Sequence, residues 1–194
     1  MIFSTSRSCG LHRPVLWSLA AVILAAQLYG LRHAPSIWPD EQEVRTGQSI
    51  FGKQGDPKNL VSIHLPYPLR LSWVPDTHIT SITCHRMIAA PLTRIFQKTL
   101  AHYGPERIRE LHLDVYGGCF NNRTIRGNNK PSLHAWGVAV DLDPQRNTMH
   151  MQAPQAAFSG PAYDAFWAIV ESEGAFSLGR VRNYDWMHLQ FARP

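Results

Sequence analysis

Two short stretches carry side chains of types and spacings that suit joint chemistry. PSLHAWGVAVDLDP, residues 131–144, holds His134 and, seven positions later, Asp141; NYDWMHLQF, residues 183–191, holds Asp185 and, three positions later, His188. Two imidazoles and one carboxylate form a ligand set suited to a catalytic zinc ion, with a fourth position left for water. Bound zinc brings the pKa of such a water towards about 7. A further carboxylate outside the ligand set can take the proton and return it to a leaving amine, and Asp185 is the candidate. A cation that stabilises an oxyanion or grips a substrate carboxylate has two candidates, Arg123 and Arg126, in the polar run GGCFNNRTIRGNNKPS.

The elements around these residues must bring them together. Extended from Gly137 to Asp143, the chain puts Gly137, Ala139, Asp141 and Asp143 on one face and Val138, Val140 and Leu142 on the other. His134 is an odd number of residues from Asp141, so it reaches the same face only if HAWG turns before the strand begins; Gly137 makes that turn inexpensive. In the last stretch Trp186, His188 and Gln190 share a strand face. Asp185 reaches the site of His188 only from a loop just ahead of the strand. Elsewhere the spacing predicts a helix over 85–103, with Leu92, Ile95, Phe96, Thr99, Leu100 and Tyr103 on one stripe and Gly104-Pro105 as its stop. LRLSWV (69–74) and LHLDVY (111–116) read as strands, and residues 161–175 as a second helix between Pro161 and Gly174. Helices and strands alternate only loosely. The expected class is therefore α+β, a small, mainly antiparallel sheet with flanking helices and the zinc site in a cleft on the sheet.

Each residue alone has an ordinary explanation. A histidine more often fills a hydrogen-bonded structural role than a metal site, and His64, His78, His102, His112 and His150 have no partner at a telling spacing. Asp141 suits a turn or a salt bridge, Asp185 a loop cap and Arg123 a solvated loop. Cys119 reads as structural rather than nucleophilic. The sequence has no HExxH helix, GxSxG elbow or glycine-rich phosphate loop, which leaves zincin, serine-hydrolase and nucleotide-binding readings without support.

Ser132-x-His134-x-x-Gly137-x-Ala139-x-Asp141 followed by Asp185-x-x-His188 resembles the VanY-like D-alanyl-D-alanine carboxypeptidase family of zinc peptidases. That family is related to D-Ala-D-Ala dipeptidases and to phage L-alanyl-D-glutamate endopeptidases. The resemblance covers roughly residues 116–191. It implies one zinc ion held by His134, Asp141 and His188, with Asp185 as general base. It implies an arginine upstream of the first histidine, for which Arg123 fits best and Arg126 second. Ser132 resembles the family serine beside the first ligand, a substrate or supporting contact, and Trp136 would be a cleft wall or a packing residue. The implied substrate is a peptidoglycan stem peptide. Family carboxypeptidases usually carry Glu at the base position, whereas the phage endopeptidases resemble this chain in carrying Asp, which tilts the expectation towards an endopeptidase. Gln190 stands where relatives often carry an acid. Hedgehog-type relatives keep a metal without hydrolysis, so a non-catalytic zinc-containing cell-wall-binding module is the alternative; Asp185 argues against it.

The remaining sequence bears on location. The chain has 194 residues and a formal charge of +5, but residues 1–33 hold three arginines and no acid, leaving 16 basic against 14 acidic residues beyond them. No basic run interleaved with aromatics occurs, so no nucleic-acid partner is expected. Residues 14–31, PVLWSLAAVILAAQLYGL, carry no charge and follow Arg7 and Arg13. A helix over 15–31 spans roughly 25 Å, slightly short of the roughly 30 Å hydrocarbon core. Candidate cleavage points have Leu24 or Leu28 where a small residue is wanted. The expected organisation is a cytoplasmic basic segment (1–13), a signal anchor or transmembrane helix (14–33), a juxtamembrane spacer (34–76) and a zinc peptidase domain (77–194) outside the cytoplasm. The alternatives are secretion after cleavage and later release of the helix from the bilayer. Cys9 would remain on the cytoplasmic side. Cys84 and Cys119 would meet an oxidising space in which they can pair. No obligate protein partner is evident.

Overall fold

The sheet begins with a long hairpin whose sequence does not read as one. In the computed structural model, which describes residues 37–194, β1 (Leu60–Leu71) and β2 (Val74–His85) pair antiparallel, from Leu60 opposite His85 to Leu71 opposite Val74. β1 contains Pro66 and Pro68, which lack the ladder N–H and ordinarily argue against a strand. The fold accommodates them at an irregularity, where pairing with β2 breaks between His64 and Leu69. The expected spacer over 34–76 is thereby corrected: residues 37–76 are built into the domain, and its expected start at 77 falls inside β2. LRLSWV is likewise not one strand, since Leu71 ends β1 and Ser72-Trp73 make the turn. The expected segments 1–13 and 14–33, and Cys9, lie outside the described residues. Among the described residues no helix is long and apolar enough to cross a membrane.

After the hairpin come α2 (Ala89–Glu110), β3 (Val115–Gly118), β4 (Ala139–Leu142), α3 (Asp164–Ser172), β5 (Phe176–Ser177), α4 (Leu178–Arg182) and β6 (His188–Gln190); α1 (Glu41–Arg45) precedes β1. The strand order is β2-β1-β3-β4-β6-β5, with only the β1–β3 pair parallel. The architecture is thus α+β with a mostly antiparallel sheet, as the sequence predicts. α2 buries the expected stripe, Leu92, Ile95, Phe96 and Thr99, and Phe96 meets Tyr67 of β1 edge to face at 5.7 Å. Gly104 breaks its helical path at φ 68° and one further stretch follows Pro105. Phe166, Trp167 and Val170 of α3 are buried, with Trp167 against Phe158 and Trp186. Burying an aromatic or aliphatic side chain of this size contributes about 1.5–3 kcal/mol.

Two features hold the ends of the site-bearing segments. Cys84, at the end of β2, and Cys119, just past β3, form a disulfide with Cα atoms 5.7 Å apart. α1 carries a capping box, with Asp40 and Glu43 each accepting from the other's backbone N–H. α1 docks onto the C-terminal strand region: Glu41 N–H donates to the Arg193 carbonyl and Arg193 N–H to the Pro39 carbonyl.

Candidate metal centre and its cavity

His134 lies in a single 3-10 turn, Leu133–Trp136, and the sequence of that turn explains its position. Ser132 caps it, its Oγ accepting from the His134 N–H at 3.4 Å. Gly137 ends it in the left-handed region at φ 69°, and its N–H returns to the His134 carbonyl at 2.9 Å. A side chain at Gly137 would be strained there and would approach His85 N to 3.0 Å. The chain therefore reverses before β4 starts, which places His134 over the face that carries Asp141, as the parity of the sequence requires.

Asp141 and His188 are Cα partners in the antiparallel β4–β6 ladder. His188 Nδ1 is 3.0 Å from Asp141 Oδ1, and His134 Nε2 is 3.2 Å from Asp141 Oδ2. The imidazole rings meet edge to face with centroids 5.0 Å apart. One ligand atom from each residue lies within 4.8 Å of the other two, and the three are 2 %, 8 % and 7 % exposed in chain order. Ligands about 2.0–2.1 Å from a tetrahedral centre are about 3.3 Å apart, close to the two short separations seen here. This buried group of two nitrogens and a carboxylate is able to hold a metal ion.

The outer contacts fix the rings. His134 Nδ1 donates to the Cys119 carbonyl at 2.7 Å, leaving Nε2 towards Asp141. On the other ring, His188 Nε2 is 3.1 Å from Gln190 Oε1. β3 must run close behind Asp141. A Cβ added at Gly117 would stand 2.8 Å from Asp141 Cβ, so only glycine permits the approach.

Asp185 occupies the loop position that its spacing demands. Its backbone is left-handed at φ 54°, its N–H donates to the Met149 carbonyl, and its carbonyl accepts from the His188 N–H at 3.0 Å. Its side chain is buried and no protein group hydrogen-bonds its Oδ1. A buried carboxylate oxygen without a donor is costly. Here it lines an open cavity of about 670 Å³ together with His134, Asp141 and His188.

Electrostatics follow the geometry. Burial alone would raise the Asp141 carboxyl, but the His134 charge and hydrogen bonds from both imidazoles carry it far below the usual carboxylate range. Burial opposes charge on His188. The Asp141 hydrogen bond and charge, aided by Asp185 and Gln190, outweigh it and raise that imidazole above its ordinary value. Asp185 is raised, chiefly by burial and further by the Asp141 charge, against the pull of His188, His134 and Arg123.

Arg123, Arg126 and Ser132 line the same cavity. Arg123 donates to the Thr124 carbonyl at 3.0 Å, and its charge acts on Asp185. Trp136 does not line it. That side chain is buried and its Nε1 donates to the Gly52 carbonyl at 2.9 Å, which makes it a packing residue rather than a cleft wall. Glu41, Arg45, Trp73 and Tyr184 also face the cavity and were not expected from the sequence. Glu41 lies 149 positions from Gln190, its hydrogen-bond partner, and no local pattern signals such a pairing.

Fold and site together define a mainly antiparallel α+β domain with a buried His/Asp/His group able to bind one metal ion. No protein-family model, curated protein or solved structure matches the chain.

Proposed function

We propose that the chain is a zinc-dependent peptidase that hydrolyses peptide bonds in peptidoglycan stem peptides, of the D-Ala-D-Ala carboxypeptidase or L-Ala-D-Glu endopeptidase type. The observation that carries this reading is Asp185 Oδ1, a buried carboxylate oxygen that no protein group hydrogen-bonds, in the cavity that the His134, Asp141 and His188 group also lines. A purely structural metal site has no use for such a carboxylate, whereas hydrolysis needs a base outside the ligand set.

His134 Nε2, an Asp141 oxygen and His188 Nδ1 would hold the ion, which supplies Lewis acidity to a water and to the scissile carbonyl. Asp185 accepts a proton as the water oxygen bonds to the carbonyl carbon. It delivers that proton to the amine nitrogen as the C–N bond breaks, and so ends each cycle as it began. Burial holds the Asp185 carboxyl above its ordinary value, which makes it a better proton acceptor than an exposed aspartate. Arg123 supplies positive charge for the oxyanion or a substrate carboxylate. Ser132 holds the His134 turn and Arg126 borders the substrate space.

An extracytoplasmic location follows from the same reading. The Cys84–Cys119 disulfide suits an oxidising space, and the uncharged residues 14–31 suit a membrane anchor, with the catalytic domain outside. The deciding experiment is mass spectrometry of products from defined stem peptides incubated with the zinc-loaded protein. A single new carboxyl and amine terminus identifies the cut bond. Stem peptides of every type left intact would remove the peptidase reading.

A further inference from the structure

The two imidazoles of the metal group are oriented by different devices, and that of His188 reaches outside the segment that carries the ligands. Gln190 is fully buried. Its Nε2 lies 3.1 Å from Glu41 Oε1 and 2.7 Å from the Ala192 carbonyl. Both neighbours are acceptors, so the amide has one workable orientation: the reverse would set its oxygen against two oxygens. Its Oε1 therefore faces His188 Nε2, at 3.1 Å, and can only accept. A proton must sit on Nε2, which leaves Nδ1 as the nitrogen able to present a lone pair to a metal. Nδ1 is the atom beside Asp141 Oδ1.

Glu41 is held in turn. Arg45 donates to its other oxygen at 2.8 Å, and Arg182 stands 3.6 Å from Oε1. Arg45 also donates to the Pro131 carbonyl, at the head of the segment that carries His134. α1 is thus wired to both histidine-bearing segments, although it contributes no ligand.

We propose that Gln190, with its amide oriented by Glu41 of α1, is a positioning residue that fixes the metal-binding tautomer of His188, so that metal affinity depends on the docking of α1. The inference rests on the metal reading of His134, Asp141 and His188, and not on the identity of any substrate.

The test uses the full-length chain and Zn²⁺ alone, with affinity read by competition against a chromophoric chelator. The second readout is the His188 Nε2–H resonance of the zinc-loaded protein by ¹H–¹⁵N NMR. Wild type should show that proton in slow exchange with solvent. Gln190→Met, similar in length and without an acceptor, should weaken zinc binding about 10–100-fold and lose the protected proton. Glu41→Ala should weaken binding in the same direction, towards the low end, and speed the exchange. Glu41→Gln, which keeps an acceptor for Gln190, should restore most of the affinity.

Thermal melts of the metal-free variants separate misfolding from a local effect, and should Gln190→Met not fold, the Glu41 variants decide. Folded variants with wild-type zinc affinity and a still-protected proton would overturn the proposal. A wild type that takes up no zinc would overturn the metal reading and this inference with it. A wild type that binds zinc and cleaves no stem peptide would cost only the peptidase reading.

Discussion

Asp141 and His188 face each other across one rung of the β4–β6 ladder, and the backbone register that pairs their Cα atoms also sets Asp141 Oδ1 3.0 Å from His188 Nδ1. Two of the three residues of the candidate metal group therefore owe their approach to strand pairing rather than to a flexible loop. Asp141→Ala should abolish stoichiometric zinc uptake, a larger loss than the about 10–100-fold expected from removing an outer partner. Metal content after dialysis, measured by atomic emission, checks this.

The same pair predicts opposite pH trends for the metal-free and zinc-loaded protein. His188 is raised above its ordinary value, so its stabilisation is fully present below the unfolded pKa of about 6.5 and fades as pH rises through the folded value. Asp141 is depressed, so its contribution is present above about 3.9 and is lost only as pH falls through its low folded value. The chelator-treated protein should thus gain most from this pair between about pH 4 and 6.5 and lose Tm as pH rises further. Zinc must displace the proton on Nδ1, so the Tm increment due to zinc should grow over the same rise. Melting curves with and without zinc from pH 5 to 9 provide the check.

Gly117→Ala should damage the centre without replacing any of its three residues. Its Cβ would press to 2.8 Å on Asp141 Cβ and 3.1 Å on the Asp141 carbonyl oxygen. Relief requires β3 to shift away from β4, at about 1–3 kcal/mol. Zinc affinity should fall together with Tm, and the variant should still fold.

The disulfide should matter to both stability and metal. It closes a sequence separation of 35 residues, worth about 3–4 kcal/mol in the chain-entropy account. It also anchors the residue whose carbonyl accepts from His134 Nδ1. A Cys84→Ser, Cys119→Ser double variant should unfold at lower urea and bind zinc more weakly. Unchanged zinc affinity in the folded variant would separate the disulfide from the orientation of His134.

The centre was more legible in the sequence than the frame around it. His134, Asp141, Asp185 and His188 lie in two short segments, where strand parity and one glycine already require a turn before β4 and a loop before β6; both are present at Gly137 and Asp185. The helix stripe of α2 was equally plain, because 3.6-residue periodicity survives in its buried face. β1 was not legible, because Pro66 and Pro68 mask a strand that tolerates them at an irregularity. β2 was missed for a different reason. It is an edge strand whose first five residues, Val74 to His78, are all exposed, so no buried apolar alternation marks its start. The pairing of Glu41 with Gln190 is not legible in the sequence, because a hydrogen bond across 149 positions leaves no spacing signature.

The most direct measurement is the rate of stem-peptide cleavage by zinc-loaded Asp185→Asn beside wild type, with zinc content determined on the same samples. Asn tolerates the left-handed backbone at this position, so the variant removes the carboxylate and little else. The account predicts full zinc occupancy in both proteins, cleavage by wild type, and a rate lowered by about 10²–10⁴ in the variant. Cleavage by Asp185→Asn at the wild-type rate would contradict it.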